Sequence, residues 1–269
     1  MEELPAARRE RLAALVAADG FVRVADAAAR LGVSEVTVRG DLGRLEADGR
    51  LRRVHGGAMT LRGERRETRV EASARRDAAV KRAIGREAAA LVPDGASILL
   101  DVGSTCLAVA DELVARDDLS ELVVVTNGLG IALALEPAVP RFTVIVTGGT
   151  LRPLQHSLVD PIASRTLAGL HVDLAIIGCN GVADDGAVTN LNLPEAEVKA
   201  AMLAAAGSAI LVADGSKAGA RHLGRIGSLA DFATLVTDRS GAERMTRAAA
   251  DAGCAIRVAD RPRPDARAT

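Results

Sequence analysis

The segment "VADAAARLGVSEVTVRGDLGRLEADGRLRRVHGGAM" occupies residues 24–59 and predicts two helices joined by a short turn, followed by a short basic strand with a tight turn. Residues 24–31 form the first helix, and Ser34 is a favourable N-cap for the second. The basic stretch 50–59 fits a short strand with a tight turn at Gly56-Gly57, that is, a wing. Upstream, residues 8–19 predict a further helix. Together these signals predict a winged helix-turn-helix.

The helix that follows Ser34 has two different sides at about 100° per residue. Val38, Leu42 and Leu45 lie on the side expected to pack on the preceding helices. The opposite side carries Val36, Gly40, Gly43 and Arg44, flanked by Thr37 and Arg39. A glycine inside a helix costs about 0.5–1 kcal/mol relative to alanine, but on an outer face it lets the backbone approach another molecule closely. The alternative is a solvated face that tolerates two glycines.

The same segment resembles the winged helix-turn-helix of DeoR-type bacterial transcriptional regulators. The matching residues are Val33, Ser34, Thr37, Val38, Arg39, Asp41, Leu42, Leu45, Glu46, Gly49, Leu51, Arg53, His55, Gly56, Gly57 and Ala58. Gly40 stands where the family usually has a second arginine. The resemblance and the helical wheel predict DNA contacts by Ser34, Thr37, Arg39 and Arg44 of the helix and by Arg52, Arg53 and His55 of the wing. Asp41 is expected to be a structural partner of an arginine.

The charge of the chain is unevenly distributed along its 269 residues. Residues 1–76 hold 16 arginines against 12 acidic residues, whereas the whole chain has a net charge of −1. A basic N-terminal segment is compatible with nucleic-acid binding. We predict a DNA-binding domain at 1–60, a charged linker at 61–76 and an α/β effector-sensing domain at 77–269.

The C-terminal part alternates apolar strands with Ala- and Leu-rich helical stretches. Seven strands are predicted, at 96–102, 122–126, 142–147, 172–178, 208–214, 232–238 and 254–260. Strands that are apolar along their whole length and alternate with helices indicate a mostly parallel sheet covered on both faces. The fold class is therefore α/β, with an N-terminal winged helix-turn-helix and a larger domain.

Small and polar residues concentrate in loops at the predicted strand ends, where an open parallel sheet binds its ligands. The stretches are 101–106, 126–128, 147–150 and 178–181. Because Gly103-Ser104-Thr105 leads into a helix, it suits a phosphate group. Plain turns are the alternative interpretation, and Glu195 with Lys199 would equally fit a surface pair four residues apart.

These loops also resemble the effector domain of DeoR-type regulators, which is similar in fold to ribose-5-phosphate isomerases. The resemblance implies a phosphorylated sugar as effector. The predicted effector-binding residues are Asp101, Gly103, Ser104, Thr105, Thr126, Asn127, Gly148, Gly149, Asn180, Gly181, Glu195, Lys199, Asp214 and Lys217. Since the chain has only three lysines against 31 arginines, a lysine at a motif position is expected to serve a purpose. Lys81 also stands at a family-like position.

The sequence thus predicts a regulator, most often a repressor in this family, of carbohydrate-metabolism genes. Its expected partners are a double-stranded operator, a phosphorylated sugar and further copies of itself in a dimer or tetramer, without a membrane and in the cytoplasm. No cofactor is predicted, and the four histidines lack the spacing of metal ligands. The three cysteines are expected to be small core residues in a reducing compartment.

Two other functions fit parts of the sequence. An isomerase-like enzyme with a DNA-binding appendage would use Asp101, Glu195 and Lys199 as acid and base groups. A dinucleotide-binding sensor would use "GLGIA" at 128–132, but no acidic residue follows at the end of the next strand.

Overall fold

The computed structural model describes residues 5–19, 21–48, 50–54, 56–59 and 69–260. The chain forms two compact units, residues 1–66 and 67–269. Residues 61–68 of the predicted linker lie outside the described residues, whereas residues 70–75 form a short helix; the predicted domain boundaries stay a prediction. Among the described helices, none has both the length and the apolar character needed to span a membrane.

The first unit contains three helices and a small antiparallel sheet. Its elements are α1 (Pro5–Asp19), β1 (Phe21–Arg23), α2 (Val24–Leu31), α3 (Glu35–Ala47), β2 (Arg52–Val54) and β3 (Gly57–Met59). The strand order is β1-β3-β2, so β3 lies between the two others. Strands β2 and β3 form the predicted wing, whereas β1 was not predicted because three residues between two helices show no strand periodicity.

The helix-turn-helix forms as the sequence predicts. Gly32 ends α2 in the left-handed conformation, with φ of 69°, and the Ser34 side chain accepts a hydrogen bond from the Thr37 backbone N–H at the start of α3. Val38, Leu42 and Leu45 are buried among apolar residues of α1 and α2. The hydrophobic side of α3 therefore holds the helix against the unit, and its opposite side faces outward.

The second unit is built around a larger sheet. Its helices are α4 (Val70–Arg75), α5 (Ala78–Ala89), α6 (Ser104–Val114), α7 (Leu129–Leu135), α8 (Ile162–Ala168), α9 (Leu193–Ala204) and α10 (Arg239–Ala252). Its strands are β4 (Ser97–Leu100), β5 (Leu122–Thr126), β6 (Phe142–Val146), β7 (Thr150–Arg152), β8 (Ser157–Val159), β9 (Val172–Gly178), β10 (Gly181–Val182), β11 (Ala187–Asn190), β12 (Ala206–Val212), β13 (Gly224–Ser228), β14 (Thr234–Asp238) and β15 (Ala255–Ala259).

The seven predicted strands form one sheet in the order β15-β14-β12-β9-β4-β5-β6, and its neighbouring strands pair in parallel. Its two faces carry separate cores: Ile98 and Leu100 pack with α5, α6 and α7, whereas Leu99 packs with α8, α9 and α10. This confirms the predicted sheet with helices on both faces. The chain winds outward from β4 in one direction and from β9 in the other, so the topological switch point lies between these two strands.

Two smaller sheets lie beside the large one. Strands β7 and β8 form an antiparallel hairpin, and β10, β11 and β13 form a three-stranded sheet. They were not predicted, because strands of two to five residues have too few positions to show alternation. Both contribute residues next to the switch point.

Candidate functional sites

The outer face of α3 is open. Val36 is 76% exposed, and no atom lies within 4 Å of the position that a Cβ would occupy at Gly40. At Gly43 the nearest such atom is Nη1 of Arg53, at 3.6 Å. The two glycines therefore lie on the outer face, as predicted, and only the second is covered by a side chain of the wing.

The polar side chains of α3 are partly held in place by one another. The Ser34 and Thr37 hydroxyl groups lie 2.9 Å apart, and Arg39 donates a 2.6 Å hydrogen bond to Glu35. Arg39 and Arg44 are both exposed. This arrangement leaves two arginines beside the glycine-containing face.

The wing is anchored to α3 through its backbone. The Arg53 N–H donates a 2.8 Å hydrogen bond to Oε1 of Glu46, and the Arg53 side chain is exposed. The backbone of Arg52 lies in β2, whereas its side chain and the whole of His55 lie outside the described residues. The contacts predicted for these two residues stay predictions.

Asp41 has the structural position that the sequence indicates. It is 5% exposed, and its carboxylate accepts a 2.7 Å hydrogen bond from Nε of Arg8, with Nη1 of Arg9 at 3.8 Å. Both arginines belong to α1, so this ion pair joins α3 to α1 on the side away from the glycines.

A buried ion pair lies at the switch point of the large sheet. Asp101, directly after β4, is inaccessible to solvent, and its Oδ2 accepts hydrogen bonds from the Lys199 ammonium of α9 and, at 3.0 Å, from the Gly178 N–H of β9. Lys199 also donates to the Gly178 carbonyl at 3.1 Å. Burial opposes the charge on Lys199, but the attraction of Asp101 and Glu195 outweighs it and raises the pKa of the lysine.

Glu195 lies one turn before Lys199 on α9, at the centre of a second cluster. Its Oε1 accepts hydrogen bonds from Arg152 of β7 and, at 2.6 Å, from the Ser157 hydroxyl of β8, and Asn190 lies 3.4 Å from Oε2. Both Glu195 and Lys199 are buried, so the interpretation of the two residues as a surface pair is wrong. The contribution of the β7–β8 hairpin was missed, because nothing in the sequence places Arg152 beside α9.

A third cluster contains the two other lysines. Lys81 of α5 lies in the electrostatic field of Asp214 and Lys217, and burial is the main cause that lowers its pKa. Burial also opposes the charge of Asp214, but Lys217 and the hydrogen bonds from Ser216 outweigh it and lower the pKa of that carboxyl. All three lysines of the chain therefore lie at the carboxyl end of the sheet.

One buried cysteine, Cys106, and one half-buried cysteine, Cys179, lie between these clusters. The Cys179 thiol, directly after β9, lies in the fields of Lys217 and Lys199, and burial raises its pKa to about 12. Burial likewise raises the pKa of Cys106, in the first turn of α6. Both are neutral thiols at physiological pH, which agrees with their predicted role as small core residues.

The loop that carries Lys217 is held by a residue that sequence analysis did not single out. Arg244 of α10 donates hydrogen bonds of 2.7 Å to the carbonyl groups of Gly215 and Ala218. The Gly215 N–H donates to Asp238 at 2.6 Å. These contacts fix the backbone on both sides of Lys217.

The loop before α6 has the shape of an anion site. Gly103 occupies the N-cap position with φ of 114°, a conformation that suits glycine, and it offers no side chain to cap the first N–H groups of the helix. Ser104 and Thr105 are half-buried. The Ser104 hydroxyl lies 3.0 Å from the Ser73 hydroxyl of α4.

The six other predicted effector-binding residues have contacts within the fold. Thr126 accepts a hydrogen bond from the Gly128 N–H, Asn127 donates to the Leu158 carbonyl, and Asn180 accepts from the Leu191 N–H. Glycines 148, 149 and 181 lie in tight turns or against neighbouring backbone: a Cβ at either of the last two would be 2.3 Å from a carbonyl oxygen. Backbone packing therefore accounts for these two glycines without a ligand.

The described residues contain no group of three or more His, Cys, Asp or Glu side chains that could hold a metal ion. The carboxyl end of the sheet carries three ammonium groups together with the carboxylates of Asp101, Glu195 and Asp214.

Comparison with known proteins covers both units. Residues 8–62 match the DeoR-like helix-turn-helix domain, and residues 76–239 match the DeoR C terminal sensor domain. The HTH-type transcriptional regulator GolR of Listeria innocua is 30% identical over 95% of this chain and 99% of its own length. The glycerol-3-phosphate regulon repressor of Haemophilus influenzae is 30% identical over 86% of this chain and 88% of its own.

Among solved structures, a D-ribose-5-phosphate isomerase aligns with 51% of this chain and 52% of its own, with 20% identity and a TM-score of 0.37. That likeness is too weak to bear on function. The two domain matches lie on the unit with the open helix face and on the unit with the lysine clusters. The chain belongs to the DeoR family of helix-turn-helix transcriptional regulators, with a DNA-binding unit and a sensor domain.

Proposed function

We propose that a phosphorylated sugar or related metabolite controls this regulator by binding to the sensor domain at the carboxyl end of the large sheet. The observation that carries the proposal is that Lys81 and Lys217 converge there, beside the buried Lys199–Asp101 pair, in a chain with 31 arginines and no other lysine. A lysine ammonium is a compact cation that binds phosphate as a point charge.

The N-terminus of α6 would hold the phosphate group. Gly103 leaves the first N–H groups of the helix without a side-chain cap, and Ser104 and Thr105 add hydroxyl donors. Lys217 is half-buried, and Arg244 holds its loop in place, so its ammonium could meet the phosphate at low entropic cost. One relative is named a glycerol-3-phosphate regulon repressor, which supports a phosphorylated small molecule as the controlling metabolite.

The remaining predicted residues would shape the sugar site. Asn180 follows β9 at the switch point and would meet hydroxyl groups of the sugar, while Glu195 would position Arg152 and Ser157 beside them. Asp101, Thr126, Asn127 and Asp214 are buried and would act by holding the loops. Gly148, Gly149 and Gly181 would contribute backbone only.

On the DNA side, we propose that Arg39, Arg44 and Arg53 contact the operator, with Arg52 and His55 of the wing. Ser34 and Thr37 would add contacts at the start of α3, where the recognition helix of a helix-turn-helix meets base edges. Loss of Arg39 or Arg44 is expected to weaken binding and reduce its salt dependence.

We infer that the sensor domain binds its effector without converting it. Asp101 and Lys199 neutralise each other within the core, and Glu195 accepts hydrogen bonds from Arg152 and Ser157. A general base for an isomerase must instead be available to a substrate proton. The alternative enzyme function would require these pairs to open when the sugar binds.

Control would operate through a homo-oligomer on a palindromic operator, as a dimer or tetramer. The effector must bind the DNA-competent and the released states with different affinities, because equal affinities shift no equilibrium. The genes controlled would be those that handle the sugar.

Calorimetric titration of the full chain with matched phosphorylated and unphosphorylated sugars tests the proposal. We expect binding of a phosphorylated sugar only, a more than ten-fold loss of affinity in Lys217→Met, and no loss in the control Arg221→Met, whose side chain pairs with Asp185 on the surface. Equal affinity for both forms of every sugar would overturn the phosphate site. Consumption of a bound sugar phosphate would establish the enzyme instead.

A further inference from the structure

We propose that Val36 determines part of the operator sequence by contacting the C5-methyl group of a thymine in the major groove. This inference rests on the proposed docking of α3 and adds a residue that neither the family resemblance nor the arginines supply. An apolar side chain distinguishes thymine by this methyl group, since no other base carries one in that groove.

Val36 does not contribute to the hydrophobic core of its own unit. It is 76% exposed, although it belongs to a helix whose other large apolar residues, Val38, Leu42 and Leu45, are at most 2% exposed. A β-branched residue is also a poorer helix former than alanine. An exposed valine here therefore costs some helix stability and gains no burial within its own unit.

Val36 lies in the first turn of α3, on the outer face of the helix. It is the second residue of α3, after the Ser34 cap, and the first turn of a recognition helix lies nearest to the base edges. It shares the outer face with Gly40, Gly43 and Arg44, and Arg39 flanks that face. Among the residues of α3, Val36 is thus the only bulky apolar group on a face that also carries positive charge.

The short side chain of Val36 limits how far from the helix backbone it can touch a base. A valine side chain extends little beyond the helix backbone, so it touches a base only where the backbone comes close to the floor of the groove. Gly40 lies one turn later with open space around its Cβ position, which permits such an approach.

Selection of binding sites from a random duplex library by the full-length protein, in wild-type form and as Val36→Ala, tests the inference. We expect the wild type to require one thymine in each half-site that the variant does not require, while the remaining positions are unchanged. Leu223→Ala removes an equally exposed apolar side chain from the sensor unit and is the matched control. It should select the wild-type site.

Replacement of each selected thymine by deoxyuridine, which lacks the methyl group, then identifies the contact. We expect one replacement to weaken wild-type binding about four-fold, from about 0.8 kcal/mol per buried methyl, and to leave Val36→Ala unaffected. Equal effects of every replacement on both proteins would overturn the role of Val36. Failure of the wild type to select any sequence would instead refute the docking of α3.

Discussion

Removal of the Lys199 ammonium tests whether the switch point is held by a buried ion pair. In Lys199→Met the side chain keeps its approximate length but cannot neutralise Asp101, which is inaccessible to solvent. The carboxylate would keep one hydrogen bond, from the Gly178 N–H at 3.0 Å. A buried charge without its partner is strongly destabilising.

At neutral pH, Lys199→Met is expected to lower the free energy of unfolding by about 3–5 kcal/mol, the range for removing one partner of a buried ion pair. This is a large part of the 5–15 kcal/mol that typically stabilises a folded protein. The double variant with Asp101→Asn removes both charges and should be more stable than Lys199→Met alone. The two single effects should therefore not add.

The loss should also depend on pH. Burial raises the pKa of Asp101, and Lys199 is the main group that opposes that rise, so in the variant only the Gly178 N–H opposes the effect of burial. Its folded state then binds a proton more tightly than the unfolded chain, whose carboxyl has its ordinary pKa near 4. Stability of the variant consequently falls as pH rises from about 4 through the raised pKa, and the deficit shrinks in acid.

Urea unfolding followed by far-UV circular dichroism is the suitable assay, because the chain has no Trp and no Tyr for fluorescence. Arg221→Met, which breaks an exposed pair with Asp185, should unfold like the wild type. A loss of less than about 1 kcal/mol in the free energy of unfolding for Lys199→Met, or additive single effects, would show that the ion pair does not stabilise the switch point.

Three further predictions concern other parts of the molecule. Burial opposes the charge of Asp214, but Lys217 and the hydrogen bonds from Ser216 outweigh it and lower the pKa of this carboxyl. The ionised carboxylate should therefore stabilise the fold above about pH 4, and this stabilisation should be lost as pH falls through the lowered pKa. Urea unfolding of the wild type and of Asp214→Asn across pH should show their difference in stability vanish in that acidic range. Gly40→Arg meets open space and should bind operator DNA with a salt dependence steeper by about one phosphate contact, measured by fluorescence titration; an unchanged slope would mean that position 40 does not face the phosphates. Gly149→Ala would place a Cβ 2.3 Å from the Val159 carbonyl and should lower the melting temperature far more than Gly253→Ala, which meets no atom within 4 Å and should cost about 1 kcal/mol. Equal melting temperatures would refute that close approach.

The regular elements of this chain could be predicted from local signals. Ser34 caps α3, and the apolar residues after it recur at helical spacing, so the helix-turn-helix follows from neighbouring residues alone. The seven strands of the large sheet are apolar along their length, because they are covered on both faces. The short strands of the hairpin and the three-stranded sheet have no such periodicity and were missed.

The candidate site, too, could be predicted from the sequence only in part. The motifs place small residues and Lys217 after strands, and the parallel sheet then brings those strand ends together. The sequence left open whether Glu195 and Lys199 are a surface pair, since spacing of four residues fits both cases. Arg152 and Ser157, which bind Glu195, and Arg244, which binds the Gly215 carbonyl, come from elements distant in sequence. No local sequence pattern predicts these contacts.

By itself, then, the sequence determined the family, the two units, the type of each major element and the outward position of the glycines on α3. Those properties depend on caps, periodicity and composition, which act over a few residues. Only the tertiary structure decided which charges are buried, because burial depends on the elements that pack over a residue. It assigned Asp101 and Lys199 to the core and brought Arg152 to Glu195.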